Sequence, residues 1–156
     1  MAIEPVIPKY YLYPSALFAN RKGHMVTTVL GSCVAICLYD KAKGFGGINH
    51  YMLPFWNGRE LASPKYGNIA IESLVKKMEA IGASRINMIA KVFGGANQLG
   101  HHTGIGQRNY EIAEEMLGDM KIKIVARSVG GLNGRKITFN TASGEVLMKN
   151  IVKQNV

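Results

Sequence analysis

A chain of 156 residues can bury roughly two-thirds of its unfolded surface, which predicts one self-sufficient domain spanning 1–156. Hydrophobic residues at 47% and charged residues at 19% exclude a disordered or low-complexity chain. The formal net charge is +9, yet Lys and Arg are spread along the sequence without the dense basic stripe that nucleic-acid binding uses, so no nucleic-acid partner is expected and the surface is read as suited to acidic proteins.

The first two dozen residues hold three of the five prolines and the cluster Tyr10, Tyr11 and Tyr13. They read as an irregular arm, over about 1–20, lying on the domain surface. This start lacks the basic segment and apolar stretch of a secretory signal, and no apolar run reaches the ~18 residues of a membrane span, so a cytoplasmic chain without membrane insertion is expected. His24, beside "RKG", reads as solvent-exposed. From Met25 to Leu30 the run "MVTTVL" predicts a strand ended by Gly31, and a second strand runs from Cys33 to about Tyr39. The polar "DKAKG" is a hairpin loop, and the chain returns through "FGGINHYMLP" to stop at Pro54.

After the loop "WNGRELASPKYGN", Ile69, Ile71, Leu74, Val75, Met78 and Ile81 recur at helical spacing, with Asn68 as the candidate cap and Gly82 as the stop. "RINMIAKVFGG" is a buried strand, "GQRNYEIAEEMLGDM" a second helix, "KIKIVARSVGG" a further strand, and "RKITFNTASGEVLMKNI" two strands joined at Ser143-Gly144. Strands outnumber helices and neighbours are joined by hairpins, so the class is α+β: mostly antiparallel or mixed sheet packed with two or three helices.

Cys33 and Cys37 are the two cysteines. They lie too close to staple the fold, and both are expected as free thiols in a reducing compartment. A nucleophilic cysteine needs a base, backbone N–H groups for an oxyanion, and a group that orients the base. If "DKAKG" joins two antiparallel strands, position 33 runs opposite the early fifties, and His50 comes within one or two register steps of Cys33. Gly31 permits a tight turn in front of the cysteine, freeing N–H groups around Ser32 and Cys33. Thr27, six residues upstream, is a candidate to set a hydroxyl or a carbonyl against the far nitrogen of His50. Pairing with His50 is expected to raise the thiolate fraction of Cys33. Free cysteine is also among the most buried residue types, so the residues alone leave Cys33 open between core and nucleophile. Cys37 has the same strand parity deeper in the apolar run and reads as core. Cys33, Cys37 and His50 do not make a zinc spacing, so neither metal nor cofactor is expected.

The blocks "TTVLGSCVAICLYD", "GGINHYMLP", "KVFGGANQL", "IGQRN" and "GGLNGRKITFNTASGEV" resemble, in this order, the CheD family of chemoreceptor glutamine deamidases in bacterial and archaeal chemotaxis. The resemblance covers roughly residues 20 to 150 and implies a layered sandwich with a Cys–His–Thr triad at Cys33, His50 and Thr27. It implies hydrolysis of the side-chain amides of receptor glutamines on cytoplasmic helices to glutamate, and in some members of glutamyl methyl esters. It also implies the phosphatase CheC as a second partner, with the chain itself a monomer. The tyrosine- and proline-rich arm departs from the family pattern. Gly94 and Gly95 are candidates to bring backbone close to a substrate helix or to end a strand with positive φ. Arg108 and Asn109 are candidates to line the site or support it, His101 and His102 read as a surface pair, and Phe139 as a core or partner-facing position. Two rivals remain in view: a non-enzymatic regulator that binds CheC or receptors, and a thiol amidohydrolase with an unrelated substrate, for which Asp40 is a distant carboxylate.

Overall fold

The computed structural model describes residues 6–98 and 104–152. The strands are β1 (Lys9–Tyr11), β2 (Leu17–Asn20), β3 (Met25–Leu30), β4 (Val34–Asp40), β5 (Phe45–Asn49), β6 (Met88–Gly94), β7 (Lys123–Val129), β8 (Gly134–Asn140) and β9 (Val146–Ile151). The helices are α1 (Gly67–Ala80) and α2 (Ile105–Asp119), and a short 3-10 turn at Arg85–Asn87 leads into β6. The strands form two mixed sheets, ordered β1-β3-β8-β9 and β2-β5-β4-β6-β7, with the helices packed on the outer face of the second. The class is the α+β architecture the sequence predicts.

Strand β4 shows why three layers form. Its residues are almost all buried on both faces, because alternate side chains enter different cores. Val34, Ile36 and Leu38 join Ile71, Leu74, Met78, Ile112 and Leu117 of the helices. Ala35 and Cys37 join Val26 and Leu30 of β3 and Ile137 and Phe139 of β8, between the two sheets. Each large aliphatic side chain buried this way contributes about 1.5–3 kcal/mol. Phe139 and Cys37 are therefore core residues.

The hairpin β4–β5 forms over the polar loop, with Cys37 opposite Ile48 and Asp40 opposite Phe45. Asp40 closes that loop: its carboxylate accepts from the N–H groups of Ala42, Lys43 and Ser84, so the distant triad carboxylate weighed above is a buried turn-former. The N-cap of α1 is Tyr66 rather than Asn68, whose side chain instead accepts from the Trp56 N–H. Gly82 ends it with φ +112°, a conformation glycine adopts cheaply.

The N-terminal segment is not irregular. β1 lies parallel to β3, and β2 pairs antiparallel with β5, Leu17 opposite Asn49. Prolines and tyrosines mask this from pattern reading, because a three-residue edge strand offers too few positions to show alternation. His24 is half-buried, its ring against Phe18. His101 and His102 lie outside the described residues. No helix among the described residues is long and apolar enough to cross a membrane.

Candidate functional site

Cys33 is the residue immediately before β4, where the strand leaves the turn Gly31-Ser32. Val34 bridges Tyr51 in antiparallel fashion, which continues the hairpin register past the end of β5. In that register Ala35 falls opposite His50, and Cys33, two residues away, shares its face. Both therefore look into the space between the sheets, where Cys33 packs against the inter-sheet cluster. The sequence places the two on one face because a short hairpin fixes both register and parity; no hydrogen bond joins the Cys33 sulfur to His50 Nε2.

His50 is 2% exposed. Its Nδ1 lies 2.7 Å from the Thr28 hydroxyl, and its Nε2 is buried without a hydrogen-bond partner. Burial pulls its pKa down to about 4, so the ring is neutral at physiological pH. Burial likewise pushes the Cys33 thiol up, opposed in part by a hydrogen bond from its own backbone N–H. The resting pair is therefore thiol and imidazole, without the raised thiolate fraction expected from the sequence: desolvation disfavours both charged forms.

Thr27 is not at His50. Its hydroxyl meets that of Thr138 across β3 and β8 at 3.0 Å, and its carbonyl accepts from the Leu12 N–H at 2.9 Å. The reason is parity. Val26, Thr28 and Leu30 are the buried positions of β3 while Thr27 faces the other way, so Thr28 reaches the imidazole. The signal was legible in "MVTTVL": Thr28 alternates with the apolar Val26 and Leu30 and must share their face.

The glycines bear on the site differently from the expectation. Gly31 has no positive φ; a Cβ there would lie 2.4 Å from the Gln98 Oε1, the tip of a flexible side chain that can swing aside, so turn geometry does not demand glycine here. Gly94 (φ +113°) and Gly95 (φ +69°) are both left-handed, as the strand-end reading requires. A Cβ on Gly94 would sit 2.1 Å from the Cys33 carbonyl oxygen, and Gly95 donates its N–H to that same oxygen at 2.9 Å. These two glycines hold the Cys33 backbone, and the Gly95 N–H is already engaged there rather than available to an oxyanion.

Asn109 on α2 clamps the site from the helix side. Its Nδ2 donates to the carbonyls of Ser32 at 2.9 Å and Met52 at 3.0 Å, tying the segment before Cys33 to the segment after His50. Tyr51 donates its hydroxyl to the Asn109 carbonyl, fixing α2 in turn. The arm also reaches the site: Ser15 donates its N–H to the His50 carbonyl at 2.8 Å, and the His50 N–H donates to Ala16 at 3.2 Å. Neither Thr28 nor the arm was identified from sequence.

A family model described as "CheD chemotactic sensory transduction" matches residues 52–150, beginning just past His50. A protein of Trichlorobacter lovleyi named "Probable chemoreceptor glutamine deamidase CheD" is 49% identical over 152 residues, covering 96% of this chain and 94% of the relative. One of the same name from Sulfurimonas denitrificans is 48% identical, covering 93% and 96%. "Probable chemoreceptor glutamine deamidase CheD 1" of Anaeromyxobacter dehalogenans is 36% identical, covering 90% and 84%.

Proposed function

The chain belongs to the CheD family, and from that premise we propose that it is a chemoreceptor glutamine deamidase in which Cys33 is the nucleophile and His50 the general base. The observation that carries the assignment of roles is the shared inter-sheet face of Cys33 and His50, with a buried, unpartnered Nε2 on the latter.

The chemistry follows from the two neutral groups. As the sulfur of Cys33 attacks the carboxamide carbon of a receptor glutamine, His50 Nε2 takes the thiol proton, so no free thiolate need accumulate beforehand. The developing oxyanion is held by the Cys33 N–H, which already faces its own sulfur, with Ser32 supplying the neighbouring backbone. Imidazolium in a buried site is a strong acid, and it protonates the amide nitrogen, so that the C–N bond breaks with loss of neutral ammonia as the oxyanion collapses to the thioester. His50 then activates the water that hydrolyses the thioester to release glutamate. The bound substrate would complete the desolvation of a half-buried thiol, which favours transfer to nitrogen over loss to bulk water.

The rest of the reading rests on family membership. The substrate is a cytoplasmic receptor helix, which places the chain in the cytoplasm, acting as a monomer and as one deamidase domain. CheC is assigned as a second partner that occupies the receptor-binding face. The basic character of the chain supports acidic protein partners in both cases.

The test is incubation of the full chain with a receptor cytoplasmic fragment, followed by ammonia assay and mass mapping of glutamine-to-glutamate conversion. Wild type should convert specific glutamines, and Cys33→Ala and His50→Gln should not. Conversion by Cys33→Ala at the wild-type rate would refute the nucleophile; binding to receptor or CheC with no conversion by wild type would favour the non-enzymatic regulator.

A further inference from the structure

The hydroxyl of Thr28 has one hydrogen and two neighbours. It lies 2.8 Å from the Leu12 carbonyl oxygen, which can only accept, and 2.7 Å from His50 Nδ1. The single hydrogen must point to Leu12, so the hydroxyl presents a lone pair to the imidazole and Nδ1 must carry the proton. A neutral ring then has its bare nitrogen at Nε2, the atom left without a partner. An imidazole with no such constraint samples both tautomers, and in one of them Nε2 is a donor and useless as a base.

Leu12 is held firmly enough to do this. Its side chain is fully buried in the inter-sheet core, its N–H donates to the Thr27 carbonyl, and β1 just before it runs in parallel register with β3, Tyr11 opposite Thr27. Three residues further on, Ser15 and Ala16 take both backbone groups of His50. The segment thus grips the histidine at its main chain and, through Thr28, at its ring.

We propose that the N-terminal segment is part of the catalytic apparatus: the Leu12 carbonyl, acting through the Thr28 hydroxyl, locks His50 in the Nδ1–H tautomer so that Nε2 is the atom that takes the proton of Cys33. Thr28 is a positioning residue and Thr27 is not. The relay contains no carboxylate, so when Nε2 is protonated the imidazolium is met by a hydroxyl and an amide carbonyl alone. It stays a strong acid, which suits protonation of a poor leaving group such as an amide nitrogen.

This inference rests on the deamidase reading for its purpose but not for its test. Long-range proton–nitrogen NMR of the His50 ring in the full chain at neutral pH reads the tautomer without substrate. Wild type should show protonated Nδ1 and bare Nε2, Thr28→Val should show a mixture or the reverse, Thr28→Ser should restore the wild-type pattern, and Thr27→Val should leave it unchanged. In parallel, deamidation kcat should fall about 100-fold in Thr28→Val with KM little changed, the scale on which a positioned general base contributes, and recover in Thr28→Ser. A wild-type ring protonated at Nε2, or a tautomer that responds to Thr27→Val and not to Thr28→Val, overturns the relay. Should Thr28→Val fail to fold, the wild-type and Thr28→Ser spectra decide the matter alone. The expected tautomer pattern with no glutamine conversion by wild type would sink the deamidase reading and leave the relay standing.

Discussion

Acidification should weaken the fold through His50, by an amount that follows from its burial. In the folded chain desolvation holds the ring at about 4 instead of the ordinary 6.5. The folded pKa is depressed, so between these values the unfolded chain binds a proton that the folded chain refuses. Stability is full above about pH 7 and falls as pH drops towards about 4. At about 1.36 kcal/mol per pH unit, going from pH 7.5 to pH 4.5 costs roughly 2.5 kcal/mol from this residue. With a urea slope of about 2 kcal/mol/M for a domain of this size, the unfolding midpoint should fall by roughly 1 M more in wild type than in His50→Gln, which cannot titrate. Comparing the two chains cancels the other histidines and the carboxylates. An equal pH dependence in both, or an NMR titration of His50 with its midpoint near 6.5, would refute the claim that the ring is desolvated and neutral.

Three further outcomes follow from the packing. Gly94→Ala forces a Cβ onto the Cys33 carbonyl at a left-handed backbone position, and should cost about 3 kcal/mol in thermal or chemical unfolding and lower kcat at any temperature where it folds. Asn109→Ala leaves the Ser32 and Met52 carbonyls without their shared donor; a loss of about 1–3 kcal/mol is expected, with kcat reduced more than KM because the segments carrying Cys33 and His50 lose their tie. Cys37 is 2% exposed and burial pushes its thiol far up, so native protein treated with iodoacetamide should be alkylated at Cys33 and spared at Cys37, and Cys37→Ala should keep deamidase activity while losing about 1 kcal/mol of stability. Mass mapping that found Cys37 modified first would contradict the core assignment.

Local pattern was sufficient wherever one strand or one short connection held the information. The run "MVTTVLGSCVAICLYDKAKGFGGINHYMLP" carries its own turn chemistry, so the β4–β5 hairpin, the register that brings position 33 opposite the early fifties, and the shared face of Cys33 and His50 were all legible. The helix α1 likewise followed from Ile71, Leu74, Val75 and Met78. Thr27 against Thr28 was a matter of parity inside a six-residue strand, decidable from Val26 and Leu30 once the core face was weighed ahead of a family spacing.

What the sequence by itself determined is the α+β class, the central hairpin and the shared face of Cys33 and His50, because register and side-chain alternation are properties of contiguous residues. Tertiary structure decided the remainder. Burial between the two sheets made Cys33 a thiol and His50 a neutral ring, and no residue's own chemistry states how much water its neighbours will exclude. Thr28 gained its meaning from a carbonyl sixteen residues earlier, and Asn109 from two carbonyls more than fifty residues away. Backbone acceptors of that kind leave no mark in the sequence, since every residue has one and only the fold says which side chain it meets.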